Sequence, residues 1–176
     1  VIATGLMLIW LPENRQRKYA EGKWLEERRF TNFGIFDGMA DRLAILYPQL
    51  RRNFRYLYDY GYALHKECRY EESNVILREG ALISSDPMFY NIIGKNHEAL
   101  GDYELVERNY IHAHNMVPSR LYPYILLMEM KERQGNTELA LADARKALSL
   151  PVNERNMSMR DLHERARKYY DEHKKD

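Results

Sequence analysis

Along most of the chain, apolar residues return every three or four positions in short runs, with polar turns between the runs. That is the period of an amphipathic helix, and it predicts an all-α chain of short, paired helices. The stripe Tyr90, Ile93, Gly94 and His97 predicts one helix, and Val106, Tyr110 and Ala113 predict the helix facing it. The same reading sets Leu57, Tyr60, Gly61 and Leu64 against Ser73, Leu77 and Gly80, and Tyr124, Leu127 and Met128 against Ala140, Ala144 and Ala147. Small residues at Gly61, Gly80, Gly94, Ala113 and Ala140 are expected where two helices approach closely. Upstream, Phe30, Met39, Leu43 and Leu46 suit a core, but Glu27 stands where a small residue belongs, so a degenerate first pair is expected.

Four turns punctuate these helices: Gly34-Ile35-Phe36-Asp37, Cys68-Arg69-Tyr70-Glu71, Gly101-Asp102-Tyr103-Glu104 and Gly135-Asn136-Thr137-Glu138. Their third residues fall at 36, 70, 103 and 137, which makes the period 34, 33 and 34 residues. Self-similarity at such a period marks stacked helix–turn–helix units. Gly101 and Gly135 can close a helix in the left-handed conformation, and Asp102 and Asn136 can cap the next one. Asp86-Pro87 reads as an N-cap and first-turn proline, while Pro118 and Pro151 stand where helices stop. Ser158-Met159-Arg160-Asp161 reads as a capping box opening a last helix, with Leu162, Ala166, Tyr169 and Tyr170 on one stripe. A repeat array needs such a helix to close its exposed core. The tail His173–Asp176 is expected to fray.

This period, with Gly94, Leu100-Gly101-x-Tyr103, Tyr110-x-x-Ala113 and Pro118, resembles the tetratricopeptide repeat (TPR) family from about Ala20 to Leu150. Ankyrin repeats, of similar length, would carry a Thr-Pro-Leu-His turn that this chain lacks. The resemblance implies a right-handed α–α superhelix, a solenoid of about four repeats at 20–53, 54–86, 87–120 and 121–154, followed by a capping helix and tail at 155–176. A narrower resemblance rests on Met116-Val117-Pro118-Ser119-Arg120-Leu121-Tyr122-Pro123 and on Ala140–Leu148. These runs are similar to the C-terminal repeat region of bacterial O-antigen ligase or polymerase-like membrane proteins. That implies an interaction domain appended to a membrane enzyme of surface-polysaccharide assembly. None of that family's catalytic residues maps onto this sequence.

Residues 1–19 join an apolar run, Val1–Leu11, to a basic linker with Arg15, Arg17 and Lys18. The run is too short to span a bilayer, which takes roughly 20 apolar residues. It lacks the basic leader and small-residue cleavage site of a signal peptide. Two readings stand. The run is either the tail of a transmembrane helix, with Trp10 at the interface, or a buried helix on the first repeat. The first gives membrane attachment at the bacterial inner membrane with a periplasmic soluble domain, although cations just after an apolar run favour the cytoplasmic side. The alternative is a free-standing soluble adaptor or co-chaperone-like protein of the cytoplasm.

Composition narrows the function. With 45% hydrophobic residues and 14 Tyr, the chain is not a disordered polymer. Lys+Arg 27 against Asp+Glu 26 leaves +1, which provides no net basic footprint for nucleic acid. The single Cys68 excludes an internal disulfide and a cysteine-based zinc site. His112 and His114 project to different sides of a helix. Neither a glycine-rich phosphate loop nor a serine elbow is present. No cofactor, metal or catalytic residue is expected, and the chain reads as a protein-interaction module, not an enzyme.

In the family it resembles, the concave groove is lined by first-helix residues that do not serve the core. Counted from the turns, these are Trp24, Arg28, Arg55, Tyr58, Tyr62, His65, Asn91, Lys95, Tyr122 and Glu129. Aromatics interleaved with Arg and Lys suit a protein or extended peptide bearing carboxylates. The tyrosines equally suit packing between neighbouring repeats. The carboxylate clamp that holds acidic chaperone tails is not reproduced, because Trp24 and Arg28 stand where its first Lys and Asn belong. The polar run Glu129–Glu138 and the basic run Arg160–Lys168 read as solvated helix faces.

Overall fold

The computed structural model describes residues 2–152 and 156–174, with side chains from residue 13 onward. Every regular element among them is a helix, and the chain divides into two compact units, Val1–Ser85 and Asp86–Asp176.

The first unit holds α1 (Ile2–Thr31), α2 (Met39–Ala44), α3 (Tyr47–Leu50), α4 (Phe54–Lys66) and α5 (Tyr70–Leu82). Helix α1 runs unbroken through residues 19 and 20. The side chains of the apolar run Val1–Leu11 lie outside the described residues. Among the described residues, no helix is long and apolar enough to cross a membrane. Ala20 and Trp24 of α1 share a core with Met39, Ala40 and Leu43 of α2, Leu50 of α3, and Tyr56, Leu57 and Leu64 of α4. Phe30, expected in that core, is 45% exposed. The docked stripe steps from Ala20 through Trp24 and Glu27 to Thr31, which leaves position 30 a hundred degrees aside. The helix that pairs with α1 is broken into α2 and α3, with Pro48 in the first turn of α3. Pro48 has no N–H to return to Ala44, so one continuous helix would lack that bond.

Helices α4 and α5 form a regular pair, and its contact face is the expected one. Leu57, Gly61 and Leu64 are buried on α4, and Ser73, Leu77 and Gly80 on α5. The Ser73 hydroxyl donates to the Gly61 carbonyl at 2.7 Å. A methyl group at Gly61 would stand 2.5 Å from Leu77 Cγ, so the two helices meet only because that position is bare.

The second unit holds α6 (Met88–Ala99), α7 (Tyr103–Met116), α8 (Tyr122–Arg133), α9 (Thr137–Ser149) and α10 (Met157–His173). Helices α6 and α7 pair, as do α8 and α9. Asp86 Oδ1 accepts from Met88 N–H at 3.0 Å, Asp102 Oδ1 from Leu105 N–H at 3.4 Å, and Asn136 Oδ1 from Leu139 N–H at 3.3 Å. The start of α10 differs from expectation. Asn156, not Ser158, is the cap, with its Oδ1 accepting from Met159 N–H at 3.1 Å. Asn is as strong an N-cap as Ser and comes first along the chain, which places Ser158 inside the first turn. Ala166 and Tyr169 of α10 then close the core formed by Ile125, Met128, Ala140, Ala144 and Ala147. Lys175 and Asp176 of the tail lie outside the described residues.

One hydrogen-bond pattern ends a helix at all four turns. The N–H groups of Ile35, Arg69, Asp102 and Asn136 donate to Phe30, Leu64, His97 and Lys131 at 3.1, 2.9, 2.9 and 2.9 Å. Gly34, Cys68, Gly101 and Gly135 stand at the shared left-handed position, with φ of 69°, 61°, 80° and 73°. This is the Schellman ending, and it satisfies carbonyls that the helix leaves open. Cys68 holds the position without being glycine, at a steric cost its neighbours bear.

The tightest approach lies in the second unit, where a methyl group at Gly94 would stand 2.3 Å from Tyr110 Cε1. Tyr110 is itself fully buried. Gly94→Leu is therefore expected to separate α6 from α7 and to destabilise the protein by ~1–3 kcal/mol through overpacking. Urea unfolding measures this, and an unchanged midpoint would remove the packing assignment.

Candidate functional site

Six of the ten groove candidates fall in the first unit. Trp24 is 6% exposed and belongs to the core. Its indole N–H donates to Asp59 Oδ2 at 2.8 Å, and its ring meets Tyr56 edge-on at 6.1 Å. Arg28 Nε lies 3.3 Å from the same carboxylate oxygen, with its guanidinium 5.9 Å from the Trp24 ring. Burial pushes the Asp59 carboxyl above its ordinary pKa, while the Trp24 N–H and the Arg28 charge pull it back down. These three residues clamp α1 onto α4.

The other four line one stripe of α4, because residues 55, 58, 62 and 65 repeat at helical spacing. Tyr58 and Tyr62 stack at 6.1 Å with planes 6° apart, and Tyr62 stacks on His65 at 6.0 Å and 22°. His65 lies 5.8 Å from Tyr70, and Phe36 meets Tyr62 edge-on at 5.5 Å. Each of these rings is partly exposed. Exposed Arg55 and Lys66 stand at the two ends, over the rings of Phe54 (5.7 Å) and Phe36 (5.5 Å). The row of rings extends beyond the sequence candidates to Phe36 and Tyr70, and Lys66 joins it as a cation over Phe36. Lys66 follows the same helical spacing, whereas Tyr70 opens α5 beyond the Cys68 turn and Phe36 comes from a distant turn.

The remaining four candidates lie in the second unit, and of these Lys95 and Tyr122 meet. Lys95 Nζ donates to Tyr122 Oη at 2.7 Å and sits 5.4 Å over that ring. Asn91 is 1% exposed, with its amide nitrogen 3.4 Å from Met88 Sδ and its Oδ1 unpartnered. Glu129 is ion-paired to Arg165 of α10.

Two features of the second unit were not foreseen. Lys131, inside the run expected to be solvated, is 9% exposed and donates to Asp143 Oδ2 at 2.7 Å, with Glu107 at 3.2 Å. Burial works against its charge, but the two carboxylates outweigh that and raise its pKa. The signal was present, since Lys131 continues the Tyr124, Leu127 stripe by four residues. His112 and His114 do diverge. The first packs on Tyr90 at 4.2 Å, whereas His114 Nε2 lies 2.9 Å from Tyr124 Oη. His114 Nδ1 is buried without a partner. Burial, helped by the nearby Lys146 charge, holds the His114 pKa below its ordinary value.

No protein-family model and no curated protein matches the chain. Solved structures do match it. The crystal structure of MamA superposes with a TM-score of 0.64 at 13% identity, covering 90% of each chain. The Yersinia enterocolitica type III secretion chaperone SycD, in complex with a peptide of the translocator YopD, gives 0.57 at 18%, covering 66% of this chain and 88% of that one. The TPR domain of Arabidopsis OM64 gives 0.52 at 18%, covering 68% and 98%. At such identities the likeness defines the fold alone, an all-α array of helical repeats of the tetratricopeptide type.

A depressed histidine pKa fixes the sign of a pH effect. The unfolded chain takes up the proton first, so the stabilisation from neutral His114 is present above the unfolded pKa of roughly 6.5 and is lost as pH falls through the lower folded value. Urea midpoints measured from pH 7.5 down to 5.5 are expected to fall less steeply for His114→Gln than for wild type. Parallel slopes would show that His114 does not titrate in this way.

Proposed function

We propose that this chain is a protein-binding adaptor of the chaperone-like kind, which holds a segment of a partner protein on the α4 stripe. The observation that carries this reading is the row of partly exposed rings Tyr58, Tyr62 and His65 between the cations Arg55 and Lys66. Aromatic faces supply contact area at low entropic cost, and cations at the rim select acidic partners. Similar folds support it, among them SycD with its YopD peptide and PcrH with the chaperone-binding region of PopD. Selection from a random peptide display library tests the reading. Wild type is expected to enrich acidic peptides, and the R55E/K66E double variant is expected to lose that enrichment while remaining folded. Failure of wild type to enrich any peptide over an empty support would sink it.

A second reading keeps the narrower resemblance. The chain would be the periplasmic part of an inner-membrane protein in O-antigen ligation or polymerisation, with the partner still bound on its helical repeats. The observation in its favour is the apolar run Val1–Leu11, helical from Ile2. Fractionated native cells separate the two. A band far above 21.1 kDa that only detergent extracts supports the membrane reading, and a soluble band near 21.1 kDa removes it.

A further inference from the structure

The α4 stripe also measures its ligand. Arg55 and Lys66 are eleven residues apart on one helix, a rise of about 16 Å at 1.5 Å per residue. Neither forms an ion pair with an acid among the described residues. The acid of α4 itself, Asp59, is already engaged by Trp24 and Arg28. Between the two cations stand the partly exposed rings of Tyr58, Tyr62 and His65, about 6 Å apart.

A helical ligand is poorly served by this surface. Helices approach to 8–10 Å between axes where side chains leave grooves, and three consecutive large rings leave none. An extended chain is narrower, and every second side chain of it faces the row of rings. Its rise of about 3.3 Å per residue covers the same 16 Å in about five residues.

Resting on the peptide-binding reading above, we propose that the α4 stripe takes an extended segment with two carboxylates about five residues apart, one at Arg55 and one at Lys66. Apolar side chains between them lie across Tyr58, Tyr62 and His65. Two labelled peptides of identical composition test this by fluorescence anisotropy. One carries its glutamates about five residues apart, the extended match, and the other about eleven apart, the helical match. The first is expected to bind roughly tenfold more tightly. Arg55→Gln, at an exposed position, is expected to abolish that preference without changing the melting curve. Equal or tighter binding of the eleven-residue spacing overturns the inference and leaves the peptide-binding reading standing. So does failure of both peptides when library selection still enriches acidic sequences. If selection also yields nothing, the reading and the inference fall together.

Discussion

Within the regular helix pairs, a large side chain on one helix fills the space left by a small residue on the other. Gly61 and Leu77 are sixteen residues apart, as are Gly94 and Tyr110, and in both the second residue presses against the bare backbone of the first. The pair α8–α9 reverses the sizes at the same spacing, with Met128 on the first helix and Ala144 on the second, both buried in one cluster. A close-packed interior accepts either arrangement because the summed volume is kept. The degenerate first pair has Glu27 and Leu43 at these positions. There Glu27 Oε1 accepts from Arg42 at 2.9 Å while its Oε2 is buried without a partner. A carboxylate cannot close a helix pair as glycine does, and in this same pair Pro48 breaks the helix opposite α1.

The same contact orients the candidate site. Seating Leu77 on Gly61 fixes the rotation of α4, burying Tyr56, Leu57, Tyr60, Ala63 and Leu64 on one side. The opposite side, carrying Arg55, Tyr58, Tyr62, His65 and Lys66, is then left toward solvent. The rings line up because a helix with its inner face locked presents its outer residues at fixed intervals.

The sequence spoke most clearly where local chemistry decides the conformation. Gly101-Asp102 and Gly135-Asn136 carry both the left-handed residue and the cap, and their turns form as those residues require. Cys68 was recognisable only through the 34-residue period, because a cysteine gives no local hint of positive φ. The site was less legible, since burial is decided by partners far along the chain. Trp24 looks like a ligand contact until Asp59, 35 residues away, accepts its N–H. Lys131 looks solvated until Asp143 and Glu107 surround it. Periodicity marks the side of a helix a residue occupies, but it cannot tell a side that meets solvent from one that meets a distant carboxylate.

That distant pairing also shapes the charge of the candidate site. Asp59 is the sole acid between Phe54 and Lys66, and left exposed it would set a negative charge beside the ring stripe. Trp24 and Arg28 draw it under α1 instead, and burial there lowers its tendency to ionise. With Asp59 engaged, the outer charges of α4 are those of Arg55 and Lys66. Trp24 and Arg28 thus act on the surface without lining it, since docking α1 is what makes α4 cationic toward a partner. The docking of α1 and the polarity of the candidate site therefore share one carboxylate.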